Sequence, residues 1–466
     1  MSNSQTIDKN QLIKWAVVLI SAAAIWLAPC NEVYTPEVKK FLFVTALGIL
    51  LVAFELIDLM AVSMMFPIGY LAFGLAPMEI AYSAWTQTMP MVVIGGYMIA
   101  NVLDRIGLLK RIAYWCILKV GGSYYGLLYG VLIAGCVLNT ATGGNAWVIM
   151  AAFTFGLCKT FDLGKTIDSA IIMFVGALSA GASCVFIYTP YFMSLLLNAA
   201  NAATGTTHFL SWVQFFIHML PYVIFILALV WVLPKIFKPT KKLPGKEFYE
   251  QEYAKLGKMS KDEKIGTFVT ILLIAFMMTG ELHHIALDWA FIVIPWLMFV
   301  PGLKIANSED VKNIDFSMVF FCVACLSIGI TSSHLGIGKM VAELLIPVLE
   351  PLSSNVVVAA IAIVGVVLNL LLTPFAILAG FSEPIAQIAA GLGINPLGAL
   401  YGLYVGVDQI FLPYEYLSYL IFYAFGLMKM TDFIKLATTK TVLAVLLIIF
   451  VLIPWWNFMG VLLSTC

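Results

Sequence analysis

Asn139 and Asn369 each stand inside an apolar run, in "VLNTATGG" and "VLNLLLTP". A carboxamide is neither a nucleophile nor an acid–base group. It offers one acceptor oxygen and two N–H donors, which suit a cation, the oxygens of an anion, or freed backbone. Left unpaired in an apolar medium, such a group costs roughly 2–7 kcal/mol. Both asparagines are therefore expected to hold something. Thr140 and Thr142 follow the first, and Thr373 follows the second. Two further stretches mix small and polar residues: "GALSAGASCVFIYTPYF" (176–192), with Ser179, Ser183 and Thr189-Pro190, and "YVGVDQIFLPYEYLSY" (404–419), with Asp408 and Glu415. None of the four contains Arg or Lys. No nucleophile–base pair or HExxH spacing occurs among them, so their chemistry is binding and the chain is not expected to be an enzyme.

The elements that must position these residues are interrupted helices. Proline and glycine clusters at membrane depth break the helical ladder, which is tolerable only where backbone is buried in protein or lines a wet cavity. The broken ends present N–H groups and the positive end of the helix dipole to an anion, and carbonyls to a hard cation such as sodium. The interruptions come in pairs. "NVLDRIGLLKRIA" (101–113) aligns with "TSSHLGIGKMVA" (331–342), Gly107 on Gly336, at an offset of 229 residues. Asn139 and Asn369 follow at an offset of 230. This is read as an internal duplication, and paired interruptions in corresponding places of two repeats point to a transporter's binding site.

The surrounding chain is a membrane protein. Of 466 residues, 62% are hydrophobic and 11% charged, where a soluble domain carries about 25% charged. Runs such as 12–29 and 439–456 are long enough, as helices, to cross a hydrocarbon core of roughly 30 Å. The N-terminus runs into such a span without a cleavage site, so no cleavable leader is expected. A formal net charge of zero argues against a nucleic-acid partner. Cys322 and Cys325 make one CxxC with no second pair, read as packing residues. The lysine-rich stretch 235–264 is placed in the cytoplasm by the positive-inside tendency. The expected division is an N-terminal span (1–34), a first repeat (35–234), this linker (235–264) and a second repeat (265–466).

At this point the chain resembles the divalent anion/sodium symporter family, carriers of dicarboxylates, citrate and sulfate. "VVIGGYMIANVLDRIGLLKRIAYWCILKVGG" (92–122) is similar to its glycine-rich span and interfacial helix, "PGLKIANSEDVKNIDFSMVFF" (301–321) to its entry into the second repeat, and "LGINPLGALYGLYVGVDQIFLP" (392–413) to its late broken helix. The resemblance implies an all-α polytopic fold of about eleven transmembrane helices, with two inverted repeats that each hold a re-entrant hairpin and a broken helix. It implies a multi-pass protein of the plasma or bacterial inner membrane, a homodimer in contact with lipid, moving a small dianion by elevator-type alternating access. Sodium is the implied coupling ion, and no other cofactor is expected.

Carried over by position, the family's Ser-Asn-Thr hairpin motif falls on Leu138-Asn139-Thr140 and on Leu368-Asn369-Leu370. The asparagines match, both serines are replaced, and the second threonine is lost, with Thr373 nearby. The implied substrate-binding set is Asn139, Thr140, Thr189, Pro190, Asn369, Thr373 and Glu415, and the implied sodium ligands are Asn139, Ser183 and Asn369. Glu415 stands where the family has small residues, so it is expected to face the cavity and share in coupling. An acid inside the membrane is a functional hypothesis by default, and Asp408 and Glu383 fall under the same rule. Asp104, Arg105, Lys110 and Arg111 are expected on the interfacial face of an amphipathic helix. A proton-coupled carrier or an anion exchanger of the same fold is the competing reading, with a channel or intramembrane enzyme further off.

Overall fold

The computed structural model describes residues 9–463 except 33, 55, 121–122, 241–245 and 371. The described residues form helices joined by short turns, with one isolated bridge between Ile394 and Leu463. Helix is what an apolar medium demands of such a chain, because it satisfies every backbone group within the segment.

The order of helices in the first half recurs in the second. Thr88–Arg105 turns into Leu108–Val120, and Phe316–His334 turns into Ile337–Leu349. At the two corners stand the repeat glycines, Gly107 at φ +83° and Gly336 at φ +67°. Both are in the left-handed region that glycine enters without cost, and the first corner bends the chain by 76°. Next comes a hairpin: arms Tyr124–Thr142 and Trp147–Thr160 in the first half, Ser354–Asn369 and Pro374–Gly391 in the second. A broken helix follows each hairpin, Ile167–Ala180 with Pro190–Thr204, and Pro396–Val407 with Leu417–Ala424. Leu220–Phe237 closes the first half and the span from Met430 to Phe458 closes the second.

Packing follows the same symmetry. Each hairpin's first arm lies along the first piece of the broken helix that follows it. Each hairpin's second arm also meets the second piece of the other half's broken helix. In the second half the approach is very close: a Cβ on Gly406 would lie 2.2 Å from the carbonyl oxygen of Ala362, and one on Gly402 3.0 Å from that of Val358. Glycines one helical turn apart let two membrane helices touch backbone to backbone. The helices Pro36–Ala53 and Leu59–Ala72 form a separate apolar cluster with part of Phe316–His334.

Five described helices are long and apolar enough to cross a membrane, or six if the bent pair at Gly107 counts as one span. Reaching about eleven spans requires the shorter apolar pieces to cross as well. The stretch 235–264 holds a helix of its own, Lys246–Lys255, and the first turn of Lys261–Met278. Arg111 is buried rather than on the watery face. It donates to both carboxylate oxygens of Glu263, at 2.6 and 3.2 Å, and to the carbonyls of Leu256 and Gly257. Arg105 grips Asp310 at 2.7 and 2.8 Å. Asp104 and Lys110 are exposed, as expected. A bidentate guanidinium–carboxylate pair fixes orientation as well as charge, and these two pin the interfacial corner to segments far away in sequence.

Candidate functional site

The first hairpin ends in two glycines because the chain must reverse there. Gly143 and Gly144 sit at φ +63° and +96°, and a Cβ on Gly144 would lie 2.8 Å from both Thr189 Cγ2 and the Tyr191 hydroxyl. The backbone N–H of Gly144 donates to the carbonyl of Asn139 at 2.9 Å. Asn139 is buried at the end of the first arm, and its carboxamide bridges the tip to the break. Nδ2 donates to the carbonyl of Ala180 at 2.6 Å and to Ser183 Oγ at 2.8 Å, while Oδ1 accepts from the N–H of Ala146 at 3.2 Å. Ser183 Oγ in turn donates to the carbonyl of Ser179 at 2.6 Å.

Asn369 repeats the bridge in the second half. It is fully buried, and Nδ2 donates to the carbonyl of Gln409 at 3.0 Å, in the second break. Here the oxygen is different: Asn369 Oδ1 is buried without a hydrogen-bond partner among the described residues, as is Asp408 Oδ1 in the break itself. The second break also holds charge. Lys440 reaches in from the closing span and donates to the carbonyl of Asp408 at 2.5 Å, to Asp408 Oδ2 at 2.7 Å and to Gln409 Oε1 at 3.0 Å. Tyr222, from the span that closes the first half, donates to the same Asp408 oxygen.

Between tips and breaks lies a cavity of about 480 Å³. Its lining comes from the first turns of four helices: Trp147; Tyr191 and Phe192; Pro374 and Phe375; Leu417 and Ser418. Gly144, Thr373, Ala180, Cys184, Tyr414 and Tyr416 complete that wall. The opposite wall is Leu56–Leu59 with Met318 and Phe321. Among the described residues no Arg or Lys lines it, and Asp58 on the opposite wall is a carboxylate that caps its own helix by accepting from the N–H groups of Met60 and Ala61. The positive potential available is therefore that of helix N-termini and their N–H groups.

Residues 9–462 match the family described as the sodium:sulfate symporter transmembrane region. The chain belongs to that family. It is therefore a multi-pass membrane transporter, not an enzyme, as the resemblance in the sequence implied. Relatives include the L-tartrate/succinate antiporter of Escherichia coli strain K12, 22% identical over 399 residues and 80% of each chain. That of Shigella sonnei is 21% identical over 398 residues, again 80% of each. Among solved structures, the Alcanivorax borkumensis YdaH transporter superposes with a TM-score of 0.55 at 15% identity, covering 81% of this chain and 88% of that one. That likeness concerns the fold, which is the expected all-helical transporter fold.

The residues that the sequence singles out fall into four groups. Asn139, Ser183 and Asn369 are at the tip–break contacts. Thr373 lines the cavity and caps its helix by accepting from the N–H of Ala376, while Thr189 and Pro190 start the helix whose next two residues line it. Thr140 and Thr142 instead donate to the carbonyls of Cys136 and Leu138 in their own helix, at 2.9 and 2.8 Å. Glu415 is buried, and its carboxylate accepts from the N–H groups of Phe411 and Leu412 at 3.0 and 2.9 Å. Its neighbours Tyr414 and Tyr416 line the cavity and it does not. Glu383 borders a second space of about 480 Å³ with Gln87, Asn198, Ser333 and His334.

Sequence reading missed Lys440, Gln409 and Tyr222. Lys440 was legible in principle: it is a cation inside an apolar span, and such residues mark function. No local pattern announces it, because Lys440 lies 21 residues beyond Tyr419, the last residue of the second break's polar stretch, and 32 beyond Asp408.

Proposed function

We propose that this chain carries a small dicarboxylate across the membrane, bound between the two hairpin tips and the two helix breaks. The observation that carries the reading is the convergence of the helix N-termini of both tips and both breaks on one cavity that, among the described residues, no Arg or Lys lines. Aligned peptide dipoles and free N–H groups hold anions without a formal counter-charge. Asn139 and Asn369 fix the tips to the breaks, Thr373 adds a hydroxyl at the second tip, and Thr189-Pro190 sets the start of one converging helix. Glu415 holds the turn that aims Tyr414 and Tyr416. The expected domain division, with homodimers and an elevator-type movement of hairpins and broken helices past the wall of Leu56–Leu59 and Phe321, belongs to the same reading.

Two couplings compete, each with an observation behind it. Sodium symport is favoured by the unpartnered Oδ1 of Asn369, a buried oxygen that a cation would satisfy. Anion exchange is favoured by the first half, where Asn139 Oδ1 and Ser183 Oγ are already engaged within the protein. The names of the L-tartrate/succinate antiporters also point that way. The deciding experiment uses proteoliposomes preloaded with succinate, L-tartrate, citrate or sulfate, or left empty, with labelled succinate outside and sodium, choline and pH varied in turn. Uptake that requires internal anion and ignores sodium makes the protein an exchanger. Uptake into empty vesicles driven by a sodium gradient makes it a symporter, and uptake of no anion under either condition removes the proposal.

A further inference from the structure

The two breaks have the same carbonyls to dispose of and do it with different partners. When a helix is interrupted, the last carbonyls of its first piece lose their intrahelical donors. In the first half the carbonyl of Ala180 takes the amide of Asn139, and that of Cys184 takes the hydroxyl of Tyr404 at 2.6 Å. In the second half three consecutive carbonyls are free of helix, and side chains take all three. Lys440 Nζ holds that of Asp408, Asn369 Nδ2 that of Gln409, and Thr441 Oγ1 that of Ile410 at 2.8 Å.

Lys440 does more than fill a ladder. Its ammonium is fully buried and lies within 3.0 Å of three oxygens: a backbone carbonyl, a carboxylate and a carboxamide. An ammonium has three N–H donors, and each is used. Carbonyl, carboxylate and carboxamide oxygens at the end of an unwound helix are also the ligands that a free sodium ion takes in carriers with broken helices. Three such oxygens at this break are therefore already occupied, by a cation that is part of the chain. Tyr222 completes the cluster, donating to Asp408 Oδ2 while accepting from Gln409 Nε2 at 3.2 Å. The corresponding span of the first half, Leu220–Phe237, has Lys235 as its one charged residue, exposed at the helix end.

We propose that Lys440 is a tethered cation that takes the place of a dissolved coupling ion at the second break. A sodium ion enters with substrate and leaves with it, and that departure is what ties anion flow to the sodium gradient. An ammonium on a side chain cannot leave. It keeps the second break ordered in the loaded and the empty carrier alike, so this half contributes nothing to sodium dependence. Asn369 Oδ1 and Asp408 Oδ1 are left without a hydrogen-bond partner among the described residues, and two oxygens do not make the shell of about six ligands that a hard cation takes. This inference rests on the transport reading above, with Lys440 as a positioning residue for the site.

The test compares the wild-type protein with Lys440→Ala and Lys440→Gln. Two readouts are taken: succinate/L-tartrate exchange in proteoliposomes, and thermal unfolding in detergent, both in sodium against choline chloride at equal ionic strength. The expected wild-type exchange has a sodium dependence with Hill coefficient no greater than one. Lys440→Ala frees Asp408 and its carbonyl for a solvent cation. It is expected to lose at least ten-fold in exchange in choline, to recover part of it in sodium, and to gain a sodium-dependent rise in unfolding temperature that the wild type lacks. Wild-type exchange with a Hill coefficient near two overturns the proposal, and so do variants with wild-type rate and wild-type sodium response. Variants too unstable to purify leave the wild-type coefficient to decide. A wild type that moves neither anion defeats the transport reading, and the gain or absence of sodium stabilisation in Lys440→Ala then still decides the role of Lys440.

Discussion

The two tip–break units are built to one plan and stabilised by different physics. In the first, Asn139 ties Ala180, Ser183 and Ala146 together, and every partner is uncharged. In the second, Asn369 makes one bond, and the remaining order comes from the Lys440–Asp408 pair with Gln409 and Tyr222 around it. Duplication supplied the same broken backbone twice, and each copy met the obligation to pair its carbonyls in its own way. Uncharged carboxamide bonds are worth about 1 kcal/mol net each. A buried ion pair is close to neutral while intact and very costly to break. The second unit is thus the brittle one where its ion pair is concerned, and breaking that pair carries the largest penalty.

Removing the carboxylate tests this most severely. Asp408→Ala leaves the Lys440 ammonium buried at 0% exposure without its counter-charge. The expected loss is about 3–5 kcal/mol, read as a sharp fall in the thermal unfolding midpoint and in recovery of folded protein. The matched change in the first break, Ser183→Ala, removes one hydroxyl between Asn139 and Ser179 and should cost about 1 kcal/mol. Equal midpoints for the two variants would remove the distinction between the units.

The asparagines reverse the order. Asn139→Ala strands the N–H of Ala146, the carbonyl of Ala180 and one lone pair of Ser183, whereas Asn369→Ala strands the carbonyl of Gln409 alone. About 3 kcal/mol is expected for the first and about 1 kcal/mol for the second, again measured by unfolding in detergent. Between these lies Gly144→Ala. A side chain at φ +96°, pressed on Thr189 and Tyr191, should cost about 2 kcal/mol. It should also slow transport several-fold, because the tip must close against that helix. Normal rates in this variant would show that the tip has room to give.

How far the sequence could be read depended on whether the signal was local. The hairpins and breaks were legible because Gly143-Gly144, Thr189-Pro190 and Leu412-Pro413 interrupt apolar runs, and interruption is visible in one dimension. The duplication was legible through Gly107 and Gly336, whose left-handed backbone keeps the residue type fixed. Partners were not legible. Nothing near Arg111 in sequence announces Glu263, and nothing near Asp408 announces Lys440 or Tyr222, which come from the two closing spans. Thr140 and Thr142 show the opposite failure: a polar residue beside a motif invites a binding role, while a helix offers its hydroxyl a carbonyl four residues back.

The smallest expected effect belongs to Glu415, and it sharpens the comparison at its most ambiguous residue. The sequence places a carboxylate beside the substrate and assigns it a share of the coupling. In the fold both its oxygens accept backbone N–H groups of Phe411 and Leu412, so the acid closes a turn much as a capping residue does, and Tyr414 and Tyr416 are what that turn presents to the cavity. Glu415→Gln keeps one acceptor and turns the other into an N–H that faces an N–H. A cost of about 1 kcal/mol is expected, together with a few-fold rise in KM for succinate as the tyrosines lose their aim, and kcat and the dependence on sodium and pH should be preserved. Glu415→Asp, one methylene shorter, keeps both acceptors and should restore part of the affinity if the turn relaxes to meet it. A Glu415→Gln protein whose transport no longer responds to sodium or pH would return the coupling role to this residue, and would mean that the second unit spends two charges on ions rather than one on structure.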